Sequence, residues 1–220
     1  MADRRAETIL RILRTTFAVP TWTTAARNPF ATLIATIISQ NTNDKNMARA
    51  FENLSNKFRI TPEALADAEI KQVENYLKVG GLYHNKARVI HQVSKIILEK
   101  YNGDLAQILS KPLDEARDEL LQLPGVGPKT ADVLLLFSAK KPTVPVDTHV
   151  NRVSKRLGLV AEEADYETVR GALQSIYDPT DYLAVHILLI LHGRKYCKAK
   201  TPLCTECPLA RLCPSRHLWS

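Results

Sequence analysis

Leu123-Pro124-Gly125-Val126-Gly127-Pro128-Lys129-Thr130 separates two segments, Leu113 to Gln122 and Lys129 to Ser138, in which aliphatic residues recur at three- and four-residue intervals. That interval lines up apolar side chains on one face of a helix. The stretch therefore reads as a tight hairpin joining two helices. Pro124 ends the first helix because it has no N–H to give and its ring clashes with the preceding turn. Gly125 and Gly127 permit positive φ and the close approach of another backbone. Pro128 occupies the first helical position, where its fixed φ suits the helix. The amide groups at such a start lack intrahelical partners and point outward, a donor set that holds phosphate without reading sequence. A plain turn between packed helices has the same punctuation. A P-loop does not fit, because Pro128 separates Gly127 from Lys129 and breaks the required Gly-Lys-Thr.

Outward from the hairpin the helical interval persists and the period-two alternation of strands is scarce, so the chain is expected to be all-α. The pattern predicts helices at 6–17, 29–39, 44–58, 61–66, 70–78, 85–100, 113–122, 129–138, 148–157, 165–176 and 181–191. Prolines 20, 29, 112, 124, 142, 145 and 179, with Gly80-Gly81 and Gly103, punctuate them. With 220 residues, 45% of them hydrophobic, the chain is long enough to bury a sizeable core in one or two domains. Thirty Lys and Arg against 23 Asp and Glu give a net charge of +7, which favours a polyanionic partner, most commonly nucleic acid. The early charges at Asp3, Arg4 and Arg5 do not make a signal peptide. The longest apolar runs, Ala31 to Ile38 and Val133 to Phe137, are too short to span a bilayer. A soluble intracellular protein is expected.

Lys129 stands in the first turn of the hairpin's second helix, where the macrodipole disfavours a cation. A partly neutral lysine attacks electrophilic carbon and forms a Schiff base. Taken alone, a surface lysine explains Lys129 equally well. Eighteen positions on, Val144-Pro145-Val146-Asp147-Thr148-His149-Val150 ends an apolar approach in a helix start. Asp147 is there an N-cap, which needs no chemistry to explain it. The same position fixes a carboxylate at a helix mouth. Beside a nucleophilic amine it supplies the second requirement for breaking an N-glycosidic bond, an anion opposite a cationic transition state. His149 reads as packing in support of that loop.

Cys197, Cys204, Cys207 and Cys213 form C-x6-C-x2-C-x5-C, and the chain has no other cysteine. Clustered thiols in an intracellular protein indicate metal ligation before disulfides. Only one close C-x2-C pair is present, unlike most structural zinc sites, which suits a single [4Fe–4S] cluster while leaving zinc open. Arg194, Lys195, Lys198, Lys200, Arg211 and Arg216 surround the cysteines, either to line a phosphate backbone or to solvate an exposed loop.

In this order, Ser39-Gln40-Asn41-Thr42, Gly81-Leu82-Tyr83 with Lys86-Ala87, the hairpin, Val146 to Val150, His192-Gly193-Arg194 and the cysteine pattern resemble the endonuclease III family of DNA glycosylases, in the helix-hairpin-helix superfamily. The resemblance implies two helical domains flanking a DNA-binding cleft, a six-helix barrel with the hairpin (23–136) and a cluster-bearing domain (137–220), with residues 1–22 packing against the latter. It implies Lys129 as Schiff-base lysine, Asp147 as catalytic aspartate, and the four cysteines as [4Fe–4S] ligands. Gln40 and Leu82 match the side chains that fill the space left by a flipped nucleotide. Gly125, Val126, Gly127, Thr130 and Arg194 are expected at the DNA. The implied activity is removal of oxidised pyrimidines from duplex DNA followed by β-elimination, by a cytoplasmic, nucleoid-associated monomer. A monofunctional uracil or mismatched-thymine glycosylase and a non-catalytic iron–sulfur DNA-binding protein are the rivals. Related adenine glycosylases carry glutamate where this chain has Thr36 and usually lack the hairpin lysine. Asn43-Asp44 departs from the family's Thr-Asp arrangement and shifts the acidic group by one position, which bears on base preference.

Overall fold

Side chains that bind the first free amides set most of the helix starts. In the computed structural model, which describes residues 4–21 and 28–218, Asn28, Asn43, Thr61, Asp147 and Asp165 each accept a hydrogen bond from the first turn of the helix that follows. Proline at the first helical position reinforces the starts after Asn28 and Thr61. Twelve α-helices and no strand occur among the described residues, which matches the all-α expectation. They are α1 (Arg4–Thr16), α2 (Pro29–Ser39), α3 (Asp44–Lys57), α4 (Pro62–Asp67), α5 (Ile70–Leu77), α6 (Tyr83–Tyr101), α7 (Ala106–Leu109), α8 (Leu113–Leu121), α9 (Pro128–Val133), α10 (Thr148–Arg156), α11 (Tyr166–Ile176) and α12 (Tyr182–Lys195).

The chain divides into two compact units, Ala26–Lys141 and the described residues of Met1–Ala25 with Pro142–Ser220. The expected boundary between residues 22 and 23 lies outside the described residues. In the first unit, Phe30, Leu33, Ile34, Ile37 and Ile38 of α2 are buried among Leu54, Leu77, Ile90, Ile97 and Leu134. In the second, α1 buries Ile9, Leu10 and Leu13 with Val150, Val153, Leu173, Val185 and Leu188. The Arg5 guanidinium binds the carbonyls of Leu157 and Leu212, joining α1 to the end of α10 and to the cysteine-bearing tail.

Three features differ from the sequence expectation. The helix expected over 129–138 is α-helical only to Val133, and Leu134–Ser138 is a π turn, with the Ala139 N–H bonded to Leu134 O at 3.1 Å. Leu134, Leu135, Leu136 and Phe137 are all buried, and four consecutive inward side chains do not fit one stripe of a 3.6-residue helix. The helix expected to end at Leu191 continues to Lys195. Gly193 is inside it because a Cβ there would lie 2.9 Å from the Cβ of His149 on α10, so glycine allows two helices to approach. The short α7 carries no periodic signal of its own.

Candidate functional site

The hairpin is fastened from below. Gly125 has φ +77, and a Cβ on it would come within 2.4 Å of Val89 Cγ1 on α6, so this position excludes any side chain. Gly127 does not use the positive φ open to glycine. Its φ is −98, and nothing lies within 4 Å of a Cβ built there, so that side of the loop is open to a ligand. Val126 N–H binds Leu123 O and Ala131 N–H binds Gly127 O. Among the described residues, the amides of Gly127, Lys129 and Thr130 make no backbone hydrogen bond. Lys129 is half-buried at the second position of α9. The side chains of Val126 and Thr130 are buried, so only their backbone faces outward chemistry. Beneath the hairpin, Arg117 on α8 forms a bidentate ion pair with Asp132 on α9, at 3.0 and 3.3 Å, with the Asp132 side chain fully buried.

Gln40 and Leu82 belong to the same unit as the hairpin. Gln40 follows α2 and donates from Nε2 to Gly125 O at 2.9 Å, so the hairpin itself holds it. Asn41, directly after it, has φ +53. Leu82 precedes α6 with φ +48 and 59% of its surface exposed, following Gly81 at φ +66. An exposed leucine in the left-handed region is unfavourable on two counts, solvation and backbone sterics. Asn43 caps α3 through Asn46 N–H at 2.9 Å, which accounts for its residue type without reference to a substrate.

Asp147 and Arg194 lie in the other unit, with the cysteines. Asp147 caps α10, its Oδ1 accepting from His149 N–H at 2.9 Å and Val150 N–H at 2.7 Å. Those bonds occupy one carboxylate oxygen and fix the direction of the other. Burial, first among its causes, lowers the His149 pKa, and Arg152 Nη2 lies 3.0 Å from its Nδ1. Arg152 also donates to Gly193 O at 3.1 Å and Cys197 O at 2.9 Å. Arg156, one turn on, donates to Lys198 O at 2.7 Å and Ala199 O at 2.9 Å. The aspartate's helix is thus fastened to the cysteine loop by two arginines that no motif in the sequence marked. Their spacing of four on α10 was the available signal.

All four cysteines are unpaired thiols and line one cavity, together with Arg156, Leu157, His192 and Tyr196. Among the described residues no three His, Cys, Asp or Glu side chains are gathered to hold a single metal ion. Burial pushes the Cys207 thiol up to about 11, and the buried His192 imidazole, its Nε2 3.6 Å from Cys207 Sγ, down to about 4. Arg156 Nη1 lies 3.6 Å from Cys197 Sγ. Arg194, Lys198, Lys200, Arg211 and Arg216 around this loop are exposed. Lys195 is placed over the rings of Tyr196 and Phe17, at 5.0 and 5.9 Å.

Two helices joined by a phosphate-ready hairpin, in an all-helical chain closed by a four-cysteine loop, define a protein of the helix-hairpin-helix class. The chain belongs to the HhH-GPD superfamily of base excision DNA repair proteins, whose family model matches residues 34–179. It is 37% identical to endonuclease III of Sulfolobus acidocaldarius over 188 residues, covering 85% of this chain and 82% of that protein. It is 39% identical to endonuclease III of Thermotoga maritima, covering 84% and 83%. Its fold superposes on a trapped endonuclease III–DNA covalent intermediate with a TM-score of 0.87 and 34% identity, over 99% of this chain and 98% of that one.

Proposed function

We propose that this protein is a bifunctional DNA glycosylase and AP lyase that removes oxidised pyrimidines from duplex DNA inside the cell, acting as a monomer. Lys129 carries the reading: a half-buried amine in the first turn of α9, beside amides that make no backbone hydrogen bond. The Lys129 amine attacks C1′ of the damaged nucleotide, and the N-glycosidic electron pair leaves with the base. Loss of a proton and ring opening give an imine. Removal of a C2′ proton then expels the 3′ phosphate, completing β-elimination. Asp147, with one oxygen held by two amides, stabilises the cationic sugar as the base departs. The amides of Gly127, Lys129 and Thr130 hold the phosphate backbone, and Gly125 and Val126 shape that loop. Arg194 adds a phosphate contact. Gln40 and Leu82 fill the gap left by the extruded nucleotide, whose unstacking is least costly when the base is damaged.

The cysteines are assigned as ligands of a [4Fe–4S] cluster. A mononuclear tetrahedral site draws every thiolate to about 2.3 Å from one ion. A cluster binds each thiolate to a different iron and so accommodates a wider ring of sulfurs. Burial raises the pKa of the Cys207 and Cys213 thiols, and a cationic centre would favour their ionised form. When bound, the cluster would cross-link the loop, and Arg156 and His192 would face its ligand sulfurs.

Borohydride added to the protein with a duplex containing thymine glycol is expected to trap a covalent complex. Lys129→Ala should abolish trapping. Undiminished trapping by that variant would remove Lys129 as the nucleophile, and base release without strand scission by the parent protein would favour a monofunctional glycosylase.

A further inference from the structure

Lys86 is the one lysine of the resemblance motif to which the reaction above gives no part. It is 3% exposed, and its Nζ donates to Ile38 O at 2.8 Å and to Gly80 O at 2.8 Å. Among the described residues no carboxylate pairs with it. Burying an ammonium against two neutral carbonyls is heavily penalised by desolvation, which lowers its pKa. A methionine would fill similar volume without that penalty. The two acceptors explain what the charge accomplishes. Ile38 is two residues before Gln40, and Gly80 is two residues before Leu82. Ile38 O is also among the final carbonyls of α2, at the negative end of that helix, where a cation is favoured. Only one residue separates each carbonyl from its gap-filling side chain, and the backbone takes positive φ at Gly81 and Leu82 and again at Asn41 directly after Gln40, so a small shift at either carbonyl displaces the side chain beside it.

We propose that Lys86 is a positioning residue that clamps the Gln40 and Leu82 loops at one spacing, setting the distance between the two side chains that replace the extruded nucleotide. This rests on the gap-filling role assigned above to those two side chains. The clamp bears most on intact damaged nucleotides, whose base must be unstacked and its place filled. It bears less on a preformed abasic site, which has no base to extrude.

The test compares single-turnover base release from a thymine glycol duplex with strand scission of a preformed abasic duplex, for the parent, Lys86→Met and Gly80→Ala. The second variant perturbs the clamp from the other side, since its new Cβ would stand 3.2 Å from Ala50 Cβ, and it keeps the test open if Lys86→Met does not fold. Base release is expected to fall about 10- to 100-fold, the scale of an ångström-sized misplacement, with scission reduced by less than about threefold. In a Gln40→Ala, Leu82→Ala background, Lys86→Met should add no further loss of base release, because the residues through which it acts are gone. Equal losses in both reactions, or a Lys86→Met effect undiminished in that background, would overturn the clamp. Failure of the parent protein to release thymine glycol would instead remove the functional reading beneath it.

Discussion

Leu82 occupies the left-handed region at φ +48 with 59% of its surface in water, and nothing in its own packing rewards either condition. A non-glycine residue held there carries on the order of 1–3 kcal/mol of strain. Asparagine tolerates that conformation far better. Leu82→Asn is therefore expected to raise unfolding free energy by about 1 kcal/mol in urea titration while lowering base release at least tenfold, since a small polar side chain cannot replace a stacked base. Destabilisation, or base release at the parent rate, would show that Leu82 is retained for folding and not for DNA. Gly127 makes the complementary case. Glycine permits positive φ, yet here the backbone is extended and the Cβ direction empty. What excludes a side chain there is the phosphate expected to approach it, so this glycine answers to a partner and Gly125 to Val89.

Between α8 and α9 the hairpin's geometry depends on a largely buried pair of charges. Arg117 and Asp132 meet at 3.0 and 3.3 Å with the carboxylate fully buried. Removing one partner takes a bidentate ion pair from a charge held in the interior, and Asp132→Ala is expected to destabilise the protein by about 3–5 kcal/mol. Replacing both by apolar residues of similar volume should recover most of that loss. Thermal and urea unfolding of the three variants would check this, and an Asp132→Ala cost below about 1 kcal/mol would mean that solvent already screens the pair. At this scale the sequence was readable wherever the information is local. Asp147 announced its helix because a cap needs only its own first turn, and Asn28, Asn43, Thr61 and Asp165 carry the same kind of local information. The π turn at Leu134–Ser138 was not readable, because it answers to a core that surrounds four consecutive side chains. The continuation of α12 through Gly193 was not readable either, because only His149, 44 positions earlier, explains a glycine inside that helix. Lys129, Asp147 and the cysteines were visible through their spacing. Arg152, Arg156 and Lys86 act on carbonyls, and a carbonyl acceptor leaves no trace in residue type.

Across the whole molecule, two hydrophobic cores divide the work. One, in Ala26–Lys141, supports the hairpin, Gln40 and Leu82; the other, in the remaining unit, supports Asp147 and the cysteine loop. Cys197, Cys207 and Cys213 pack against the second core, and the loop they belong to is held by Arg152 and Arg156 of the aspartate's helix and by Arg5 of α1 through Leu212 O. A cluster bound to those cysteines therefore stabilises one unit selectively, since binding energy accrues to the state whose groups are held in place. Removing the iron, or Cys207→Ser, is expected to raise hydrogen exchange in α1, α10 and residues 196–218 by at least tenfold. The amides of α2, α6 and α8, whose core contains no cysteine, should keep their protection. Local opening of this kind is how separate cooperative units reveal themselves. If protection fell equally in both units, the two cores would have to unfold as one and the cluster would be a global clamp. If it fell in neither, the loop would be held by its arginines alone, without a cluster's help.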